Sequence, residues 1–434
     1  MNRTIEQLKQ ELHYDKTNKC VQCGYCLPVC PTYMSMGKET HSPRGRINLV
    51  KMVGEGKIKD LSVLEEPLNL CLGCRACETA CPTGVEYGSI LEAARAALVK
   101  RKTFSSPVRL VRNTMFKKVF PSKYMMGLTG NSYWLYEKTG LQKVVRKSNL
   151  LKKLPFHLGE FETIMPKAIS PKQRSHFSSF VKAKGERKYT VAVFTGCIMD
   201  AMFRKINELS IQLLSEVGCD VYIAEKQTCC GALHAHSGEM DDAKELAKKN
   251  IAAFEDVKAD YIVNNSGGCG AMLYEYGHLL KAEPEWAEKA ENFSLKSKDI
   301  SQILVLCGGF RNLTTREGER VTYQRSCHMT NVQKITNEPV ELIKSIPGVE
   351  FVEMKNAAMC CGSAGIYNIV NYDESMEILD EKMKHMKETK ASVIITTNPG
   401  CLIQMKIGIE RENLSSSVKV LHLIEYLADA TGVL

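Results

Sequence analysis

The sequence lacks long apolar runs and nucleotide-binding loops. Residues 1–15 are polar rather than the basic and apolar leader of a secreted protein, and no later run among the 434 residues could span a bilayer. No GxGxxG or P-loop pattern occurs, and no nucleophile, base and orienting residue form a recognisable set. We therefore expect a chain that binds neither a flavin nor an organic substrate, and we predict no catalytic residues in it.

Acidic residues are almost missing from one stretch. Between Lys100 and Lys153 there are fourteen basic residues and one acidic residue, Glu137, although the net charge of the whole chain is only +9. The charge is therefore local. The apolar residues of this stretch recur at helical spacing, so the stretch predicts a basic amphipathic helix. This helix either lies on an anionic membrane or packs on its own protein with a solvated outer face. Nucleic acid is disfavoured because no nucleic-acid motif accompanies the charge.

Cysteine, in contrast, is abundant. Eighteen cysteines without a secretory leader indicate metal sites in a reducing compartment, so we expect a cytoplasmic protein. Two stretches, 20–31 and 71–82, both read C-x2-C-x2-C-x3-C-P. This spacing is typical of [4Fe–4S] clusters, in which the fourth cysteine of each motif binds the other cluster. Paired zinc knuckles or disulfides are the alternatives, but zinc sites usually offer two CxxC pairs rather than a CxxCxxC triple.

The spacing therefore predicts two [4Fe–4S] clusters with crossed ligation. Each cluster takes three thiolates from one motif and the fourth from the other. The predicted ligands of the first are Cys20, Cys23, Cys26 and Cys81, and those of the second are Cys71, Cys74, Cys77 and Cys30.

The rest of the chain changes from helical to α/β texture. We predict an α+β multidomain protein with a mainly helical two-cluster ferredoxin domain followed by a duplicated α/β cysteine-rich region. The predicted parts are a ferredoxin domain over 1–103, a basic helical segment and linker over 104–188, a first cysteine-rich domain over 189–285, a connector over 286–320 and a second cysteine-rich domain over 321–434.

The duplication is visible in the register of the cysteines. Cys197 and Cys327 are 130 residues apart, Cys229 and Cys360 are 131 apart, and Cys269 and Cys401 are 132 apart. In each half these cysteines follow predicted strands of a βαβαβ unit, and strand ends of parallel sheets form sites. Four thiols should therefore meet in each half. The predicted cofactor-binding residues are Cys197, Cys229, Cys230, Cys269, Cys327, Cys360, Cys361 and Cys401.

Three functions remain open for these eight thiols. They could bind a further iron–sulfur cluster, ligate zinc or form a reactive dithiol. The nearby His234, His236 and His328 are interpreted as structural histidines. Cys219 and Cys307 do not follow the repeat, so we assign them to packing.

The stretch Ser42-Pro43-Arg44-Gly45-Arg46 has two interpretations. The simpler one, which we favour, is a turn with two solvated arginines. The alternative is that the arginines compensate the charge of anionic clusters.

Four stretches, together with the paired cysteine motifs, resemble the iron–sulfur subunits of glycolate oxidase. They are Ser42–Arg46, Cys71–Val85, Ser266–Ala271 with Tyr274–Gly277, and Cys360–Tyr367. The resemblance extends to the iron–sulfur subunits of anaerobic glycerol-3-phosphate dehydrogenase and heterodisulfide reductase, which share two "CCG" cysteine-rich domains. In heterodisulfide reductase a CxxC closes each CCG motif, whereas Met272 and Gln404 stand at those offsets here.

The resemblance implies an electron-transfer subunit that is not catalytic alone. It implies an FAD-binding 2-hydroxy-acid oxidase partner, with FAD only on that partner, and an acceptor such as quinone at the inner face of the membrane. Single electrons would pass through the clusters of this chain. The alternatives are a thiol–disulfide enzyme like heterodisulfide reductase, the iron–sulfur subunit of a glycerol-3-phosphate or lactate dehydrogenase, and a scaffold with structural clusters.

Overall fold

The computed structural model describes residues 4–148, 157–174 and 178–433. It confirms the predicted fold class, since a helical N-terminal region precedes two α/β halves. No helix within these residues is both long and apolar enough to cross a bilayer.

The N-terminal region is a small helical bundle around two cysteine loops. Its core contains the fully buried Leu12, Leu64 and Ala94. Pro31 and Pro43 each stand in the first turn of a helix, where a missing N–H costs nothing. His13 has a left-handed backbone, with φ of 50°, and separates the first two helices. The helices are α1 (Ile5–Glu11), α2 (Tyr14–Thr17), α3 (Pro31–Met36), α4 (Pro43–Gly54), α5 (Glu65–Asn69), α6 (Ala76–Thr79) and α7 (Tyr87–Val99).

The basic segment forms helices that pack partly on the first half. Phe116 and Val119 are buried, and Val119 packs beside Met126 and Ala201. Ala201 belongs to the first α/β half, so this part of the segment has the self-packed arrangement. The helices are α8 (Ser106–Thr114), a π-helical turn (Met115–Val119), α9 (Lys123–Lys138), α10 (Leu141–Ser148), α11 (Leu158–Ile164) and α12 (Pro171–Arg174).

The first half is built on a five-stranded sheet with the order β1-β3-β2-β4-β5. All neighbours are parallel except β1, which lies in the predicted linker and runs antiparallel to β3. The strands are β1 (Phe180–Val181), β2 (Tyr189–Val193), β3 (Cys219–Ile223), β4 (Tyr261–Asn264) and β5 (Ser297–Asp299). The helices are α13 (Ile198–Met202), α14 (Arg204–Glu216), α15 (Ala232–His236), α16 (Met240–Glu255), α17 (Gly267–Tyr274), α18 (Tyr276–Leu279), α19 (Pro284–Lys296) and α20 (Ile300–Leu306).

The second half repeats this design with a parallel sheet in the order β7-β6-β8-β9. Its strands are β6 (Glu319–Gln324), β7 (Val349–Phe351), β8 (Val393–Thr396) and β9 (Lys419–His422). Its helices are α21 (Cys327–Asn331), α22 (Glu338–Lys344), α23 (Tyr367–Val370), α24 (Tyr372–Thr389), α25 (Pro399–Arg411) and α26 (Leu423–Ala430).

The duplication is longer than the cysteine register indicates. Strand β5 lies in the range 286–320, which the sequence analysis treats as a connector, and it completes the first sheet as β9 completes the second. Each of these strands ends in a capping box, formed by Asp299 before α20 and by His422 before α26. One apolar core runs through both halves and joins them.

Candidate functional site

The first group of thiols lines a cavity of about 400 Å³, counting its mouth. The loop before α3 folds tightly because Gln22 and Gly24 both have positive φ. Cys81 reaches the same cavity from the second motif, and Cys23 is exposed to solvent. The cysteines that line this cavity are Cys20, Cys23, Cys26, Cys77 and Cys81.

The second group lines a cavity of about 310 Å³. Gly73 gives this loop its left-handed turn, with φ of 63°. Cys30 reaches the cavity from the first motif, so each motif presents its fourth thiol to the other loop. The cavity contains Cys30, Cys71, Cys74 and Cys77.

The chemistry around these thiols fits a cluster. Tyr87 donates a hydrogen bond from its hydroxyl to Cys71 Sγ at 3.3 Å, and the Gly73 N–H approaches the same sulfur at 3.4 Å. Such bonds stabilise sulfur that carries negative charge. Among the described residues, no three Cys, His, Asp or Glu side chains lie close enough together to hold a single metal ion. Thiols spread around a cavity suit a cluster with several irons better than one zinc.

A buried arginine lies beside the second group. Arg46 is 1% exposed, and its guanidinium donates to Pro67 O at 2.7 Å and Thr32 Oγ1 at 3.1 Å, with Cys30 Sγ at 3.9 Å. Burial alone would lower the pKa of Arg46, but Cys71 and other anionic neighbours raise it, so the guanidinium stays charged. The prediction of two solvated arginines is therefore wrong for Arg46.

Arg44 and Arg95 hold the two loops in place. Arg44 forms an ion pair with Glu39 and donates to Gln22 O at 3.1 Å in the first loop. Arg95 donates to Cys71 O at 2.6 Å and to His236 O at 2.9 Å, which joins the second loop to the first α/β half. Sequence reasoning missed Arg95 because one arginine in a helical pattern is usually solvated.

In the first half the four repeat thiols form a chain of contacts. Cys197 contacts Cys229, Cys229 contacts Cys230, and Cys230 contacts Cys269. Neighbouring thiols and burial raise the pKa values of Cys229, Cys230 and Cys269. The four repeat thiols of this half are thus neighbours near the strand ends, although no three of them lie close enough together to hold a single metal ion.

The second half has the same chain of contacts. Cys327 and Cys360 have their sulfurs 4.0 Å apart, Cys360 contacts Cys361, and Cys361 contacts Cys401. The pKa of Cys361 is well below its usual value because its two neighbouring thiols donate to it.

The second half also packs directly on the second cysteine loop. Leu72 and Tyr367 form an apolar cluster that includes Cys74 on one side and Cys327 and Cys360 on the other. Polar contacts add to this packing. His328 Nε2 donates to Gly73 O at 3.0 Å, and Asn331 Nδ2 donates to Cys74 O at 2.9 Å.

The histidines near the thiols have structural contacts. His234 Nε2 donates to Phe116 O at 2.8 Å, and His236 lies 3.6 Å from Glu92. Burial lowers the pKa of His328 to about 3, so its ring is neutral and its donation to Gly73 is fixed. Cys219 and Cys307 lie in the apolar core with sulfurs 3.7 Å apart, in keeping with their assignment to packing.

Comparison with known proteins agrees with this geometry. Residues 16–85 match the 4Fe-4S dicluster domain, and residues 191–274 and 321–406 match the cysteine-rich CCG domain. Residues 107–165 match the linker region of the glycolate oxidase iron-sulfur subunit. A probable glycolate oxidase iron-sulfur subunit of Bacillus subtilis is 48% identical over 434 residues, which cover 100% of this chain and 98% of the relative.

The chain belongs to the family of glycolate oxidase iron–sulfur subunits.

Two further relatives show the breadth of this family resemblance. The glycolate oxidase iron-sulfur subunit of Escherichia coli is 30% identical over 88% of each chain. Lactate utilization protein A of Oceanobacillus iheyensis is 38% identical over 55% of this chain and 96% of its own length. As a member of the family, the chain is an iron–sulfur electron-transfer subunit of an oxidoreductase that works with a partner subunit. Residues 107–165, which include most of the basic segment, match the linker region of the glycolate oxidase iron-sulfur subunit.

Proposed function

We propose that the chain carries single electrons from an FAD-binding 2-hydroxy-acid oxidase subunit towards quinone or another membrane acceptor. The observation that carries this proposal is the continuity of the thiol groups, because the second cavity adjoins the first through Cys77 and packs on the second half through Cys74. A flavin accepts two electrons together, whereas iron–sulfur clusters exchange them singly. Glycolate is the substrate class that the relatives favour.

Two [4Fe–4S] clusters are the proposed cofactors of the N-terminal region. When bound, they supply one-electron redox chemistry, and the chain supplies thiolates, hydrogen bonds to sulfur and a buried cation. The proposed ligands are those of the two cavities, Cys20, Cys23, Cys26 and Cys81 for one cluster and Cys30, Cys71, Cys74 and Cys77 for the other.

Replacement of the fourth cysteines tests the crossed ligation. In the full chain, isolated anaerobically, Cys81→Ser should perturb the spectrum of the cluster held by Cys20, Cys23 and Cys26. Cys30→Ser should perturb the other cluster. If each variant instead damages the cluster of its own motif, crossed ligation is wrong.

A further redox centre in at least one CCG half is also proposed. Four thiols in contact within a reducing compartment should bind metal or react. Iron and sulfide analysis of the full chain should exceed the eight of each that two [4Fe–4S] clusters contain. The proposal would be contradicted if each chain contained eight or fewer iron atoms and sulfides and if these numbers did not change when Cys229 and Cys230 become Ser.

Thiol–disulfide chemistry is the second candidate function. The approach of Cys327 and Cys360 to 4.0 Å supports it, because two thiols at this separation can form a disulfide after a small movement. Purification of the tagged chain with its partners separates the candidates. A co-purifying flavoprotein that reduces a dye with glycolate supports electron transfer. Lactate and glycerol 3-phosphate serve as comparison substrates in the same assay. Disulfide reduction without any flavoprotein supports the second candidate.

Peripheral contact with an anionic membrane is the proposed role of the basic segment's outer surface. Phe116 and Val119 face the protein, but Leu110 is 68% exposed, Val111 is 61% exposed and Tyr124 is 73% exposed. Exposed apolar side chains among lysines and arginines suit the interface of an anionic bilayer.

A further inference from the structure

The two halves differ at one buried position beside their thiols. Helices α16 and α24 correspond at an offset of 132 residues, since Met240 and Tyr372 begin them. The packing of the CCG loops supports this offset, because Gly231 approaches Ala243 and Gly362 approaches Ser375. At the same offset, Asn250 of the first half corresponds to Lys382 of the second.

Both side chains are completely buried and both support the stretch that carries the paired cysteines. Asn250 donates from Nδ2 to Cys229 O at 2.9 Å and accepts from Thr228 N at 2.8 Å. Lys382 donates from Nζ to Asn356 O at 2.6 Å and to Ala357 O at 3.0 Å. The structural task is similar, but the first half performs it with a neutral amide and the second with an ammonium group.

The ammonium group lies beneath the loop that leads into the paired cysteines of its own half, since its acceptors Asn356 O and Ala357 O precede Cys360 by four and three residues. Burial lowers the pKa of Lys382 to about 8, and after burial the strongest influences are four thiols that raise it. These thiols are Cys361, Cys360, Cys401 and Cys327.

The first half has an uncharged side chain at the position that matches Lys382. This side chain, Asn250, is fully buried and hydrogen-bonds to Thr228 N and Cys229 O of the loop that carries the paired cysteines. Asn250 also donates to the Tyr276 hydroxyl at 3.0 Å, which is a neutral partner. Tyr276 itself donates to Cys230 O at 2.8 Å.

We propose that Lys382 makes the two halves inequivalent, so that a redox centre in the second half accepts an electron at a higher potential than one in the first half. The inference rests on the proposed function, in which the CCG thiols hold such a centre. Reduction adds one negative charge to a centre, and a buried cation in a medium of low dielectric constant stabilises that charge. The half with the cation is also the half that packs on the second cysteine loop.

Redox titration of the full chain followed by paramagnetic resonance tests the order of the two halves. The double substitution of Cys229 and Cys230 by Ser identifies the signal of the first half, and that of Cys360 and Cys361 identifies the signal of the second. We expect the second-half signal to have the higher midpoint potential. The reverse order, or a centre in the first half alone, would overturn the inference without any variant of Lys382.

Variants of Lys382 test the cause. Lys382→Met should lower the second-half midpoint by 59 mV or more, which is a tenfold change in the reduction equilibrium for one electron. Lys382→Arg, which keeps the charge, should retain most of the difference in midpoint potential between the two halves. Lys406→Met is the matched control, because Lys406 is a partly buried lysine of α25 whose charged neighbour is Glu425 rather than a thiol.

The outcomes separate this inference from the function on which it rests. If neither double cysteine substitution removes a signal, neither half holds a centre, and both proposals are overturned. If both signals exist but Lys382→Met shifts the midpoint no more than Lys406→Met does, only the role of Lys382 is overturned. Asn250→Lys should raise the midpoint of the first half, and an unchanged midpoint in a folded variant would count against the inference.

Discussion

At the scale of single residues, Arg46 links a buried charge to cluster chemistry. Arg46→Met removes the cation beside Cys30 and Cys71, so the midpoint potential of the second cluster should fall by at least about 59 mV. Redox titration measures this fall. Arg44→Met is the control, because Arg44 contacts Glu39 and the first loop. Equal midpoints in the two variants would contradict the role of Arg46.

His422 should make the fold sensitive to acid. Burial lowers its pKa to about 4, and its ring is held neutral because Nδ1 accepts from Ile424 N while Nε2 donates to Asn265 O. The pKa of His422 in the folded chain lies below the unfolded value of about 6.5. The neutral ring therefore stabilises the fold above pH 6.5, and this stabilisation is lost as the pH falls towards 4. The loss should reach about 3 kcal/mol.

Unfolding by urea at several pH values checks this prediction. His422→Asn keeps a residue that can cap α26 but removes the titration, so its free energy of unfolding should fall less between pH 6.5 and 4. His157→Asn, at a partly exposed ring, should follow the wild type. Parallel pH dependences in wild type and His422→Asn would contradict the prediction.

The buried cations are the residues that the sequence predicted least well. Arginine and lysine are rarely buried, so an isolated Arg46 or Lys382 in a helical pattern is read as solvated. The repeat does offer a signal for Lys382, because its alignment with Asn250 replaces a neutral residue by a charged one within a buried helix. For Arg46, the signal was its position in the stretch Ser42–Arg46 between the two cysteine motifs, for which charge compensation of the clusters was the alternative interpretation.

At the scale of elements, the basic segment should bind anionic vesicles through its outer surface. Reversal of Arg109, Lys117 and Lys118 to Glu should weaken binding by about 1 kcal/mol for each charge removed, and added salt should have a similar effect. Arg112 is left unchanged because it pairs with Glu239 at 2.6 Å.

Vesicle flotation at low salt measures this binding. The control reverses three exposed lysines of the second half, Lys344, Lys384 and Lys419, and should bind like the wild type. If the wild-type chain does not float with anionic vesicles, the outer surface contacts no membrane. In that case we expect the exposed apolar side chains of α8 to contact the partner subunit.

Strands were predicted well where they are apolar and poorly where they are short. The apolar strands Tyr261–Asn264 and Val393–Thr396 precede Cys269 and Cys401, as the predicted βαβαβ unit requires. The outer strand β5 consists of Ser297, Lys298 and Asp299, which show no strand pattern of their own. Pairing with β4 rather than local propensity makes this stretch a strand.

At the scale of the whole molecule, the ferredoxin region is held on both halves by polar contacts. Arg75 pairs with Glu78 at 2.7 Å and with Glu275 of the first half. The Arg75 side chain is 19% exposed, so Arg75→Met should leave two carboxylates poorly compensated and reduce stability by about 3 kcal/mol. Urea unfolding of the full chain measures this loss.

An exposed ion pair in the same region provides the control. Lys102 pairs with Glu65 at 2.6 Å, but both side chains are more than a third exposed. Lys102→Met should therefore lower the free energy of unfolding by less than about 1 kcal/mol. The double variant Arg75→Met with Glu275→Gln should recover part of the loss. If Arg75→Met and Lys102→Met have equal effects, the contact between the regions is weaker than we infer.

Sequence periodicity predicted each part of the molecule but not how the parts contact each other. The offsets between the cysteines of the two halves placed four thiols together in each, because strand ends of a parallel sheet share one edge. The contact between Cys74 and the second half depends on Leu72 and Tyr367, two apolar residues in separate motifs that do not indicate from sequence that they meet. Surfaces that meet only after folding leave no periodic signal in one sequence.

The unequal enclosure of the two cysteine loops sets an order for maturation. The first loop opens to solvent at Cys23, whereas contacts from His328 and Asn331 cover the second. We expect a scaffold protein that delivers clusters to reach the second loop only before the halves close over it, and the first loop even afterwards. A folded apoprotein should then regain the first cluster more readily than the second.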